Sequence, residues 1–307
     1  MYLGTSIAIS WAWGTSLILG MQIAQQKGLE AFLIWAIANS ITLGIFGILY
    51  KKDILNPKVL DLKFVKIFTN LIQLFCLVIQ LKILNETLLV FVSPFTSYFL
   101  TSLMGIGLTL WMYRKGLEAS IFTDLFQGIG TIILLLFMFG YCLCNQTLST
   151  TQHSSFEDIS WGIWSACILL SGIMTDIQHW QRAKVNKQGY AFEWASLFFG
   201  FYLLLVFFLS KYEFNSLLNL LLLFVVIFVT TSTIDSIAVA LHKDFGKRNG
   251  TLISLCICLS YGLLLNLSVL SLWSYFGVIR VGLAIFILYW CIKTKNEING
   301  RTSKLYI

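Results

Sequence analysis

From Val229 to Ser236 the chain reads VTTSTIDS, which sets five hydroxyls and one carboxylate within about two helical turns of an otherwise apolar run. Hard oxygen ligands of this kind suit an alkali cation and do not suit zinc or copper. The same hydroxyls are also able to bond back to the carbonyl one turn earlier, as helical serine and threonine do. A second group is Thr123, Asp124 and Gln127. Asp124 and Gln127, three apart, share a helix face, and an acid near a helix start also complements the helix dipole. Nearer the N-terminus, Ser10, Gly14, Thr15, Ser16 and Gly20 put small and hydroxylated residues through the middle of another apolar run. No proline lies there, so glycine and hydroxyl groups are what would break the helix and release carbonyls for an ion; close helix packing is their other use. Asp176 stands three residues before His179, a spacing at which two side chains pair on a helix.

The rest of the chain has little polar material to set beside these groups. Of 307 residues 58% are hydrophobic and 11% charged, and the mean hydropathy is +0.82, whereas an ordinary soluble domain carries about 25% charged residues. Such a chain belongs in a bilayer, which disfavours a soluble enzyme, a nucleic-acid binder or a receptor with a large extramembrane module. The seven cysteines fall mostly inside apolar runs without paired metal spacing, and no histidine is placed with a nucleophile or metal triad, so neither a resident metal nor catalysis is expected. The N-terminus lacks a basic leader, and Trp11, Trp13, Gly14 and Gly20 in its first apolar run argue against a cleavable signal peptide.

Apolar runs broken by charge predict helical spans near 3–24, 30–50, 67–83, 88–112, 119–143, 159–179, 189–210, 215–240, 250–269 and 273–292. The expected fold is therefore an all-α polytopic membrane protein of about ten transmembrane helices, a single transmembrane domain over 1–307. Basic residues alternate with this count. Lys51, Lys52, Lys58, Lys63 and Lys66, then Arg114 and Lys115, then Arg182, Lys184 and Lys187, then Lys243, Lys247 and Arg248 follow even-numbered spans, and Lys293, Lys295, Arg301 and Lys304 close the chain. The other side has only Lys27, Lys82 and Lys211. By the positive-inside rule both termini are cytoplasmic, in the cell (inner) membrane. A basic nucleic-acid patch does not predict such alternation.

Taken together, these stretches resemble the sodium:solute symporter family. Lys115-Gly116-Leu117-Glu118-Ala119, then Thr123-Asp124 and Gln127-Gly128, is similar to the family's GGLxAVxxTDxxQG at core helix five. Gln181-Arg182-Ala183 resembles the stretch after core helix six, and Thr231 to Ser236 resembles the STADS-like segment of core helix eight. The first span through Asn39, with Trp35, is similar to core helices one and two. The four motifs occur in family order, and the chain looks like a compact member with the ten-helix core alone.

The resemblance implies a 5+5 inverted repeat of the leucine-transporter type, with residues 1–145 and 156–295 as the halves and 296–307 as a cytoplasmic tail. It implies sodium-coupled symport of a small polar organic solute by alternating access, with no cofactor beyond the coupling ion. Carried over by position, the sodium ligands are the carbonyls of Ser10, Trp13 and Val229 and the hydroxyls of Ser232 and Thr233, and Asp124 lines the ion's exit route. Candidates for solute contact are Gln22, Asn39, Gln73, Asp176 and Gln178; Asn70, Gln73 and Gln80 share one face of span three, and interhelical bonding is their other reading. Arg280, a charge within span ten, is placed to meet an anionic solute or to pair within the protein. A transporter-like sensor or subunit that binds without moving solute is the alternative from another class, and a drug/metabolite-type carrier is a further one. The topology is checked with reporter fusions. A fluorescent protein at the C-terminus should be bright and a periplasm-dependent phosphatase inserted near Ser155 active; the reverse pattern would sink the orientation.

Overall fold

The computed structural model describes residues 2–145, 153–185, 190–264 and 266–304, with side chains for all of these except 13 and 298–304. Lys187, most of the 145–158 loop, the Trp13 side chain and the end of the 296–307 tail lie outside the described residues. The helices are α1 Tyr2–Trp11, α2 Trp13–Gln26, α3 Gly28–Lys51, α4 Lys63–Leu88, α5 Pro94–Asn145, α6 Phe156–Gly172, α7 Ile177–Val185, α8 Ala191–Leu209, α9 Ser216–Phe245, α10 Lys247–Ser260 and α11 Val269–Lys304. Among the described residues there is no strand. Seven helices are long and apolar enough to cross a membrane, and the α1–α2 pair, bent by 60°, makes eight. The chain is an all-α polytopic membrane protein.

Helices outrun the apolar segments that mark them, because a helical ladder does not end where hydrophobicity does. Helix α4 starts at Lys63, and α6 starts on a capping box in which Ser155 and Asp158 satisfy each other's backbone amides. Three runs go the other way: the 88–112 run is helical only from Pro94, the 159–179 run breaks at Asp176, and the 250–269 run ends early. Helix α10 stops at Ser260 and passes into a single 3-10 turn, Tyr261–Leu264.

Helix α5 is 52 residues long, about 78 Å at 1.5 Å per residue and more than twice the hydrocarbon thickness. It is two helices, 94–115 and 117–145, joined at Gly116, whose φ of 72° and ψ of −161° are open to glycine and not to other residues. The buried positions Ser120, Asp124, Gly128, Thr131, Leu135, Met138 and Cys142 recur every three or four residues and form one stripe. Phe122, Phe126, Ile129, Ile133 and Phe137 are exposed on the opposite side, where lipid is their natural solvent.

Helix α9 is the centre of the bundle. It packs on α4, α5 and α10 and also touches α1, α2 and α7. Every residue from Val229 to His242 is buried, so its hydroxyls and Asp235 face protein on all sides. Helix α3 packs between α6 and α8.

A Cβ at Gly116 meets no atom within 4 Å, so the cost of Gly116→Ala is one of backbone alone. That variant should lower unfolding stability by about 1–3 kcal/mol. Gly107, equally open but without a positive φ, is the control; Gly107→Ala should be neutral or stabilise by up to about 1 kcal/mol. Thermal unfolding midpoints of the detergent-solubilised protein check the pair.

Candidate functional site

Two polar clusters lie buried in the bundle, and each is organised by a helix that stops and restarts. The first break separates α1 from α2. The Ala12 amide still reaches back to the carbonyls of Ala8 and Ile9, at 2.8 and 3.2 Å. The Gly14 amide, which in an unbroken helix would close onto the Ser10 carbonyl, instead donates to Gln80 Oε1 of α4 at 2.9 Å. A Cβ on Gly14 would come within 2.8 Å of Thr230 Cγ2 and Ile83 Cγ2, so only glycine lets this turn press against α9 and α4. At the bend between α1 and α2 a neighbour's amide oxygen thus takes the Gly14 amide.

Close to this break sits a network around Asp124. Its Oδ2 accepts from Ser6 Oγ at 2.5 Å and Arg182 Nη2 at 2.8 Å, and its Oδ1 accepts from Ser232 Oγ at 2.5 Å. Arg182 also donates to Ser236 Oγ at 2.8 Å and, through Nε, to Ser6 Oγ at 3.0 Å. Asp235 accepts from Ser120 at 2.8 Å and Thr123 at 3.2 Å, and Gln127 donates to Thr231 Oγ1 at 3.0 Å. Helices α1, α5, α7 and α9 are therefore tied through two carboxylates and one guanidinium, all buried. Thr233 Oγ1 donates to the Val229 carbonyl at 2.9 Å, the back-bond open to any helical threonine. A hydroxyl that donates keeps its lone pairs, so Ser232 and Thr233 retain oxygen to offer a cation. Ser10 and Val229 are both buried, while the side chain of Trp13 is outside the described residues.

The second break lies at Asp176, between a 3-10 turn that ends α6 and the start of α7. Its backbone is extended, with φ of −101° and ψ of 103°. The carboxylate meets three N–H donors: Gln73 Nε2 of α4 at 2.9 Å, Gln178 Nε2 at 2.7 Å and the Gln178 amide at 3.3 Å. His179 does not pair with Asp176 through its ring. The ring is wholly buried, lies edge-on to Trp11 with centroids 5.3 Å apart, and neither nitrogen has a hydrogen-bond partner. The Oε1 atoms of Gln73 and Gln178 are likewise buried without partners, and each such group costs about 1–3 kcal/mol when left empty.

Trp11 also lines a small cavity with Thr15, Ser16, Leu19, Trp35, Asn39, Leu169, Trp273 and Arg280, of about 20 Å³. That holds roughly one water. Asn39 Oδ1 accepts from Trp11 Nε1 at 2.9 Å, and Arg280 donates to Cys76 Sγ at 2.8 Å. Among the proposed solute contacts, the fold gathers Gln73, Asp176 and Gln178 around one carboxylate and sets Asn39 in the cavity. Gln22 is exposed on α2 and joins neither.

Sequence reading missed Arg182, which was counted with the loop charges and is instead fully buried opposite Asp124. It also missed Ser6 and the Gln80 cap. The only available signal for Arg182 was its place one helical turn after Gln178, in a segment carrying the family-like Gln-Arg-Ala triplet. The three amides that share a face of α4 go to different neighbours: Asn70 to Asp244 at 2.9 Å, Gln73 to Asp176 and Gln80 to Gly14. No protein-family model matches the chain, and neither does any curated protein.

Removing one partner of the Asp124–Arg182 pair strands a buried charge. Arg182→Gln should cost about 3–5 kcal/mol, and adding Asp124→Asn should recover a substantial part of that loss. A double-mutant cycle from denaturation midpoints measures the coupling; additive losses would show that the pair is not energetically linked.

Proposed function

We propose that this chain is a secondary active transporter that couples sodium entry to symport of a small polar organic solute by alternating access. In this reading the bundle has ten spans in a 5+5 inverted repeat of the leucine-transporter type. The bent α1–α2 pair is span one, the two halves of α5 are spans four and five, α6 with α7 is span six, and α10 with its 3-10 turn is span nine.

The observation that carries the reading is the occurrence of a buried helix break in the first span of each half, at Ala12 and at Asp176. Broken helices of this kind are how transporters bring ion and solute to backbone groups at mid-bilayer. The contacts between spans repeat in the same sense. Helix α8 packs on α1 as α3 packs on α6, and the second half of α5 lies beside α1 as α11 lies beside α6.

In this reading sodium binds between α1 and α9, held by the carbonyls of Ser10, Trp13 and Val229 and the hydroxyls of Ser232 and Thr233. Bound there, it holds α1 against α9 and favours the state that takes solute from outside. Asp124, hydrogen-bonded to Ser232 and ion-paired to Arg182, gives the ion a carboxylate to pass on its way to the cytoplasm. One cation entering down the potential supplies about 2.3 kcal/mol per 100 mV, to which its concentration gradient adds. In this placement both termini are cytoplasmic, the membrane is the cell (inner) membrane, and the protein's partners are lipid, sodium and the solute.

The test is uptake into proteoliposomes of a panel of small polar solutes, with and without an inward sodium gradient. Sodium-stimulated accumulation is expected, and Ser232→Ala combined with Thr233→Val should abolish the stimulation. Binding without accumulation would overturn symport in favour of a sensor or subunit. Unchanged stimulation in the double variant would refute the ion site.

A further inference from the structure

Asp176 and Asp235 are both buried acids for which the described residues supply no ion pair; Asp235 is met by the hydroxyls of Ser120, Thr123 and Ser236. Asp124 has Arg182, whereas Asp176 has amides. Those contacts fix the orientation of both glutamines. Because Gln73 and Gln178 each turn their N–H groups to the carboxylate, each must turn its oxygen away from it, and both oxygens are buried with no donor. His179 adds two ring nitrogens, fully buried and equally without partners, three residues along the same break. The unmet capacity beside this carboxylate is thus made up mostly of acceptors. A neutral imidazole adds one more acceptor and one donor.

We propose that the break at Asp176 is the binding site for a primary or secondary ammonium group, the head of the transported solute. This rests on the transport reading above and deepens it by naming the solute class. An ammonium head supplies the positive charge that Asp176 lacks and N–H donors for Gln73 Oε1, Gln178 Oε1 and a ring nitrogen of His179. An anion would face a carboxylate and two carbonyl oxygens. A bare alkali ion would use the oxygens but leave the imidazole unsatisfied. A quaternary ammonium has the charge and no N–H to give. Trp11 touches His179 and also lines the small cavity where Arg280 stands.

The experiment is equilibrium binding, read as the thermal stabilisation of the full chain in detergent without any ion gradient. The probes are ethanolamine and glycine, their N-trimethyl forms choline and glycine betaine, and their hydroxyl counterparts ethylene glycol and glycolate. Sodium chloride alone is measured beside them. Stabilisation by ethanolamine or glycine, at least ten-fold weaker for the trimethyl and hydroxyl counterparts and lost in Asp176→Asn, is the expected result. Gln178→Met, which keeps side-chain length and removes the amide oxygen, should weaken the same binding several-fold and serves if Asp176→Asn does not fold. Four results would each overturn the assignment: equal stabilisation by the hydroxyl or trimethyl probes, persistence of amine binding in Asp176→Asn, a sodium effect that Asp176→Asn removes, or no amine response at any concentration up to the tens of millimolar. The sodium-gradient assay on Ser232 and Thr233 tests the transport reading separately, so loss of one does not count as loss of the other.

Discussion

A backbone amide released inside a bilayer has no water to turn to, and the arrangement of this molecule follows from that constraint. Both breaks obey it with side chains reached in from a neighbour. Gln80 receives the Gly14 amide, and Gln73 binds the carboxylate that occupies the second break. The two glutamines are on one stripe of one helix, seven residues or about 10 Å apart along its axis. Helix α4 therefore sets the distance between the two breaks as a rigid spacer. It also reaches α11 through Cys76 and the end of α9 through Asn70.

Charge is handled in the same way. Two acids and one base sit in the network around α9, and the acid that lacks the base, Asp235, is held by the hydroxyls of Ser120, Thr123 and Ser236. This explains why α9 carries hydroxyls on every face through its buried stretch. They serve α5 on one side and the Asp124–Arg182 pair on another. Without them Asp124 would lose Ser232 and Arg182 would lose Ser236, which is more costly than the modest propensity loss of serine and threonine in a helix.

Much of this was legible in the sequence, and the limits have physical causes. The all-helical membrane class followed from composition, and the bend between α1 and α2 was one of two readings that the glycine and hydroxyl content left open. The polar face of α4 was visible in the spacing of Asn70, Gln73 and Gln80, although not that its members would diverge to three partners. Arg182 was the main loss. Charge counting places arginines outside spans because burial is expensive, and that expense is removed here by Asp124, 58 residues away in sequence. A pair so distant in the chain leaves no local periodic signature. His179 was hidden for the opposite reason: the spacing to Asp176 pointed to a pair, but the extended backbone at Asp176 destroys the helical register on which that expectation rests.

The same network makes graded motion expensive. Asp124 is shared by Ser6 of α1, Arg182 of α7 and Ser232 of α9, so shifting any one helix leaves a carboxylate or guanidinium buried with a missing partner. Such intermediates are penalised by several kcal/mol, and moving α1 with α7 preserves only the Arg182–Ser6 contact, since Asp124 is on α5 and Ser236 on α9. Helices α1 and α7 each adjoin a break, and each break is stabilised by amide contacts that are weaker than an ion pair. The strong contact ties α7 to α5, and Ser6 and Ser232 bring α1 and α9 onto the same carboxylate.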